Sequence, residues 1–191
     1  REKLEIKEND LVIGMSARFS PGKGHEEFII AAEKINKDNL RFMFVGEASR
    51  GEQEYADKIK QMIKDYGIEQ KTIFTGYRSD MPEVLNTMDI FAFPSHSEAF
   101  GIALIEAMAM GKPSVATRSD GILDIAVDGE TSLLFEKQNA EDLAEKLNIL
   151  AESGELRQRM GKAARLRVEN NFGKEDQIGK IILLYNKLAK I

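Results

Sequence analysis

Two carboxylates with an oily segment around them set the chemistry. Glu98 and Glu106 lie in the run Pro94-Ser95-His96-Ser97-Glu98-Ala99-Phe100-Gly101-Ile102-Ala103-Leu104-Ile105-Glu106-Ala107-Met108-Ala109-Met110-Gly111. Between Gly101 and Gly111 every residue is apolar except Glu106. Such a run predicts a helix buried nearly all round. A carboxylate inside it is costly unless it is paired. Sugar hydroxyls are suitable donors, at about 1.5–3 kcal/mol for each bond to a charged acceptor. A Lys or Arg of a neighbouring helix is the competing partner. Glu98, just before the helix, either faces a pyranose or caps its own helix. The first-turn N–H groups of Gly101, Ile102 and Ala103 have no intrahelical acceptor and suit a phosphate.

A second constellation is Ser16-Ala17-Arg18-Phe19-Ser20-Pro21-Gly22-Lys23-Gly24-His25. Its glycines allow close approach of backbone to a ligand. An arginine fork and a lysine point charge beside a helix start are good chemistry for a diphosphate. The plainer reading is a strand-helix turn with two surface cations. The segment is neither a Walker loop nor a dinucleotide fingerprint, whose third glycine is replaced here by Glu27. Gly46 and Thr75-Gly76-Tyr77 either offer backbone to a base, with Tyr77 or Arg78 alongside, or are ordinary strand ends. Ser119-Asp120-Gly121 carries the same pair of readings. His25 reads as a helix-start residue and His96 as a loop histidine. With two histidines and no cysteine, no metal site and no disulfide are expected.

These loops need a scaffold, and the apolar pattern supplies one. Strands are expected at Leu11–Met15, Leu40–Gly46, Lys71–Gly76, Asp89–Pro94, Pro113–Thr117 and Ser132–Phe135. Helices are expected at Gly22–Lys37, Glu52–Tyr66, Ser79–Thr87 (capped by Ser79, with Pro82 in its first turn), Phe100–Met110, Gly121–Val127, Ala140–Ser153, Glu155 to about Asn170, and Lys174–Lys190. Strand-helix alternation with continuously apolar strands means an α/β fold, a Rossmann-like parallel sheet of about six strands flanked by helices and followed by a helical extension. Ligands of such sheets sit at the carboxyl ends of the strands, where the loops above lie.

Composition narrows the classes. The chain has 191 residues, 42% hydrophobic and 31% charged, so a sizeable core fits. Twenty-seven Lys plus Arg against 32 Asp plus Glu give a net charge of -5, which argues against bulk nucleic-acid binding. No stretch approaches the roughly 18 apolar residues of a membrane span. The first ten residues lack the apolar core of a signal peptide. Starting on Arg1, the chain reads as an excised or processed piece.

Together these segments resemble the C-terminal domain of the group 1 (GT4-type) retaining glycosyltransferases of GT-B fold. The resemblance runs from Leu11 to Tyr185. It centres on the Glu-x7-Glu motif within Pro-Ser-x-x-Glu-x-Phe-Gly-x-x-x-x-Glu-Ala-Met-Ala-x-Gly-x-Pro. Arg18…Lys23-Gly24, Phe74-Thr-Gly76, Met88-Asp-Ile, Gly121-Ile-x-Asp124 and Asp128-Gly129 support it. Ala17, Leu123-Asp124 and Ser132 depart from the family pattern.

The resemblance implies a hexosyltransferase-type enzyme (EC 2.4) that uses a nucleoside-diphosphate sugar, a UDP- or GDP-sugar, with no cofactor or metal. It assigns Arg18 and Lys23 to the donor diphosphate, with backbone from Gly101, Ile102 and Ala103. Glu106 would hold the ribose. Glu98 would be the catalytic carboxylate on the donor sugar, beside Phe100 and Gly101. Gly76 and Tyr77 would meet the base. It also implies an absent N-terminal acceptor domain, to which the last helix crosses back. Residues 1–172 would form the donor domain and 173–191 the crossing helix. The expected location is cytoplasmic, at most peripheral to the inner face of the membrane, with membrane contact only through the absent half. This piece alone should bind donor without turnover. The competing readings are a non-catalytic nucleotide-sugar module, and another GT-B-like enzyme such as a nucleotide-sugar epimerase or a phosphorylase.

Overall fold

The computed structural model describes residues 1–35, 37–119 and 121–189, without the side chains of 174–177 and 180. Six strands form one sheet: β1 Leu11–Ser16, β2 Leu40–Val45, β3 Thr72–Gly76, β4 Ile90–Phe93, β5 Ser114–Thr117 and β6 Ser132–Phe135. Their order is β3-β2-β1-β4-β5-β6 and every neighbouring pair is parallel. The helices are α1 His25–Lys34, α2 Gln53–Asp65, α3 Met81–Thr87, α4 Ile102–Ala109, α5 Ile122–Ile125, α6 Ala140–Glu152, α7 Gly154–Asn171 and α8 Lys174–Leu188. Each element expected from the sequence is present, with ends moved by a few residues. Asp80, not Ser79, stands at the start of α3, and no side chain among the described residues caps that end.

Continuous apolar strands have a simple cause here. Alternate residues feed two cores. Ile13, Met15, Phe42 and Phe44 pack with α1, α2 and α6. Val12, Met43, Val45 and Phe91 pack with α3, α4, α5 and α7. Away from the edge strand β3, neither face of the sheet meets water, so neither face is polar.

The strand order reverses between β1 and β4. From there the chain winds outward in both directions, and the loops leaving β1 and β4 part to make a crevice. Gly24 sets how closely those loops meet. Its φ is +79°, and a Cβ there would stand 2.2 Å from the Pro94 carbonyl oxygen. Behind the crevice α7 presses on α4, and a Cβ on Gly161 would lie 2.1 Å from the Gly111 carbonyl oxygen. Those two backbones touch without a side chain between them.

After Gly173 the last helix leaves the body. On α8, Ile181, Ile182, Leu184 and Tyr185 are exposed. No helix among the described residues is long and apolar enough to cross a membrane.

Gly24→Ala meets both left-handed strain and a backbone clash. Gly51→Ala, at φ +90° with nothing within 4 Å, meets the strain alone. Urea unfolding should show the first variant less stable than the second by at least about 2 kcal/mol. Equal stabilities would mean that the two loops are not held together at Gly24.

Candidate functional site

Two adjoining clefts open at the carboxyl ends of the strands. The first, about 300 Å³, lies between the loops after β1 and β4, and its lining includes Arg18, Lys23, Ser95, Glu98, Phe100 and Gly101. The second, about 710 Å³, lies over the ends of β1, β2 and β3 and is lined by Gly46, Arg50, Tyr77, Arg78 and Met81 among others. Ser16, Ala17 and Arg18 line both. Arg18 therefore stands at the seam. Its side chain is more than half exposed and loosely tethered, Nε lying 3.4 Å from Glu52 Oε2. Such an exposed pair contributes about 1 kcal/mol at most.

In the first cleft three side chains meet on one oxygen. Lys23 Nζ donates to Glu98 Oε1 at 2.6 Å, and the hydroxyl of buried Ser95 donates to the same oxygen at 2.8 Å. Lys23 and Glu98 were expected to face a ligand separately; here they face each other. The start of α4 completes the wall. Gly101, at φ +72°, precedes the helix, and no side chain among the described residues caps it. Gly101, Ile102 and Ala103 line the cleft, and Phe100 sits half-exposed beside them. The Phe100 ring meets Phe172 edge-on at 6.4 Å.

Glu106 requires a correction. It is exposed, not buried in an oily helix. Only Leu104, Ala107 and Met108 of α4 are buried. The face carrying Ile102 and Glu106 stays open because α7 and the sheet cover only the opposite side. Glu106 lines a shallow hollow with Met81, Pro82, Leu85, Ala109 and Met110. Among the described residues it has no cationic partner, so the internal ion pair is absent too. Met81 is shared between this hollow and the second cleft.

The expected base contacts separate. Tyr77 lines the second cleft and is 71% exposed. Gly76 accepts a hydrogen bond from the Gly46 N–H at 3.0 Å and lines a different hollow with Phe19, Ala48 and Phe74. Arg78 is held by Asp80, Nε to Oδ1 2.7 Å. Asp120 lies outside the described residues; neighbouring Ser119 has a buried hydroxyl with no partner among the described residues. No cluster of metal-ligating side chains occurs among the described residues.

Two contacts escaped the sequence reading. Ser95 holds Glu98, and its signal was the Ser-x-x-Glu spacing, which usually marks a helix cap. His96 ties the same loop to α1, Nε2 to Glu27 Oε1 at 2.7 Å, while its backbone N–H donates to the Gly22 carbonyl at 2.9 Å. Nothing in sequence spacing links residues so far apart.

Comparison with known proteins places this geometry. The family model described as glycosyl transferases group 1 matches residues 1–167. The chain belongs to the group 1 glycosyl transferase family. It is 30% identical over 188 residues to the capsular polysaccharide biosynthesis glycosyltransferase CapM of Staphylococcus aureus, covering 95% of this chain and 47% of that protein. Anabaena HepE, solved in complex with UDP, superposes on the whole chain at a TM-score of 0.91, with 27% identity, over 51% of its own length. The C-terminal domain of LpcC, a group 1 family protein from Francisella tularensis, matches 91% of this chain and 92% of its own at a TM-score of 0.81 and 26% identity. The chain spans about half the length of the curated relatives it matches, and its fold is the Rossmann-like unit of a GT-B glycosyl transferase.

Within this group 1 glycosyl transferase fold the glycine loop rests on His25, which is buried against Phe19 at 4.6 Å and lies near Phe44 and Tyr55. Burial pushes its pKa down from 6.5 to about 4. Between these values the unfolded chain binds the proton and the folded chain does not. Stability therefore rises with pH across this window, and about 3 kcal/mol is lost as pH falls from 6.5 to 4. His25→Phe should flatten that slope in urea unfolding measured at several pH values. An unchanged slope would assign the loss to other groups.

Proposed function

We propose that this chain is the donor-binding half of a retaining hexosyltransferase that takes a nucleoside-diphosphate sugar. The observation that carries the reading is the joint lining of one cleft by Arg18, Lys23, Glu98 and the uncapped start of α4. Two cations beside free N–H groups suit a diphosphate. HepE, similar over the whole of this chain, has been solved with UDP and with UDP-glucose.

The diphosphate lies at the seam, on Arg18, Lys23 and the N–H groups of Gly101, Ile102 and Ala103. The base enters the second cleft, where Tyr77 covers it. The ribose lies toward Glu106 by way of Met81. The sugar occupies the first cleft near Phe100, Gly101 and Glu98. Breaking the bond from the anomeric carbon to the phosphate oxygen builds negative charge on the diphosphate and positive charge on the sugar. The cations and the helix start stabilise the first charge. Glu98 orients the sugar and faces the second. Protein cations serve where other enzymes use a metal. The acceptor comes from a second domain, on which the apolar face of α8 docks, so the chain alone binds donor without turnover.

Calorimetry with UDP, GDP and ADP tests this. One of them should bind, and at one hundred times its Kd should stabilise the fold by about 2.7 kcal/mol. Lys23→Ala and Glu106→Ala should each weaken that binding about tenfold or more. Binding of none of the three would refute the reading. Wild-type affinity in both variants would refute the assignment of these residues.

A further inference from the structure

Both cations of the first cleft are already partnered by carboxylates. Lys23 Nζ is 2.6 Å from Glu98 Oε1, and Arg18 Nε is 3.4 Å from Glu52 Oε2. The Lys23 pair is the shorter and the more buried of the two. Lys23 keeps further N–H donors, but a phosphate joining Glu98 on the same ammonium would set two anions side by side, and their repulsion favours displacement of Glu98.

We propose that Glu98 is a placeholder for the donor's phosphate on Lys23, and that donor binding is a partner exchange that releases Glu98 to grip the sugar. The inference rests on the nucleotide-sugar reading above. In the exchange one ion pair breaks and one forms, so the cleft never holds an unpaired ammonium. Ser95 makes this workable. Its hydroxyl stays on Glu98 Oε1 at 2.8 Å after Lys23 has left, so the freed carboxylate does not swing away. The other oxygen, Oε2, has no partner among the described residues and is open to a sugar hydroxyl. Binding at the phosphate and grip at the sugar are thereby coupled through one side chain.

The exchange has a cost that depends on the ligand. A nucleotide sugar gives the released carboxylate a hydroxyl donor. A bare nucleoside diphosphate gives it nothing. Glu98 therefore weakens binding of the bare product, which favours its departure after transfer.

The test is calorimetry with whichever of UDP, GDP or ADP the wild-type chain binds. Glu98→Gln keeps the shape and the Ser95 bond but gives up the strong hold on Lys23. It should tighten the bare nucleoside diphosphate about fivefold. The same substitution on a Lys23→Met background should give no gain. An equal gain on both backgrounds would mean simple repulsion between Glu98 and phosphate and would overturn the proposal. No gain in the single variant would overturn it as well, while leaving the donor-site reading intact. Loss of all nucleotide binding in the wild-type chain would remove both. A crystal structure with the bound nucleoside diphosphate is a second readout, independent of affinity. Lys23 Nζ should lie on a phosphate oxygen with Glu98 still on Ser95. Lys23 still on Glu98, with the phosphate elsewhere, would overturn the exchange.

Discussion

The loops leaving β1 and β4 must touch, and the backbone lets them. Gly24 meets the Pro94 carbonyl at a separation no side chain would permit, and the His96 N–H bonds the Gly22 carbonyl at 2.9 Å. His96 and Glu27 add a side-chain tie across the same gap. Only because these backbones are in contact can Lys23, from one loop, and Glu98, from the other, share a hydrogen bond. The chain order makes the contact possible at all. With β1 beside β4 at the reversal point, loops separated by some seventy residues of sequence become neighbours, and the same reversal opens the cleft beside them.

Charge is organised around that contact. The whole chain is acidic, yet the cleft at the reversal point carries Arg18 and Lys23. Both are balanced by nearby carboxylates, Glu52 loosely and Glu98 tightly. An isolated pair of cations this close to a helix start would repel one another and the positive helix end. The carboxylates relieve that repulsion in the empty protein. Under the proposed function they also set the threshold a diphosphate must exceed to enter. Stability of the unoccupied fold and affinity for the donor then pull on the same side chains in opposite directions.

The scaffold was legible in the sequence because local rules decide it. Apolar runs closed by Gly46, Gly76 or Pro94 become strands, and Gly111 stops α4 because it sits at φ +67°. The members of the cleft were legible for the same reason: each lies just after a strand. Their partners were not. The Lys23–Glu98 bond, the Ser95 hydroxyl and the His96–Glu27 tie join different loops, or turn a side chain toward an unexpected neighbour. Such facts arise only after the sheet has brought the loops together. The separation of Gly76 from Tyr77 is of this kind too, since the Gly76 carbonyl is already taken by the Gly46 N–H.

The error over Glu106 has a physical lesson. Hydrophobicity around α4 was read as burial, and burial as a reason for Glu106 to need a partner. Yet Ile102 is 64% exposed, Phe100 is 54% exposed just before the helix, and Tyr77 stands 71% exposed over the neighbouring cleft. Apolar side chains left in water around a concave polar site are the usual lining of a pocket for a ligand with both flat and hydroxylated faces. Under the proposed function the open side of α4 is apolar because the ligand covers it, and its one carboxylate lies within that uncovered surface. An exposed Glu106 avoids the desolvation cost while the site is empty. Under the proposed function it takes on that cost only when the donor closes over it, and the donor's hydroxyls bring the compensating hydrogen bonds along. Exposure thus removes the argument from burial and leaves the one from chemistry, since no cation among the described residues holds the side chain back.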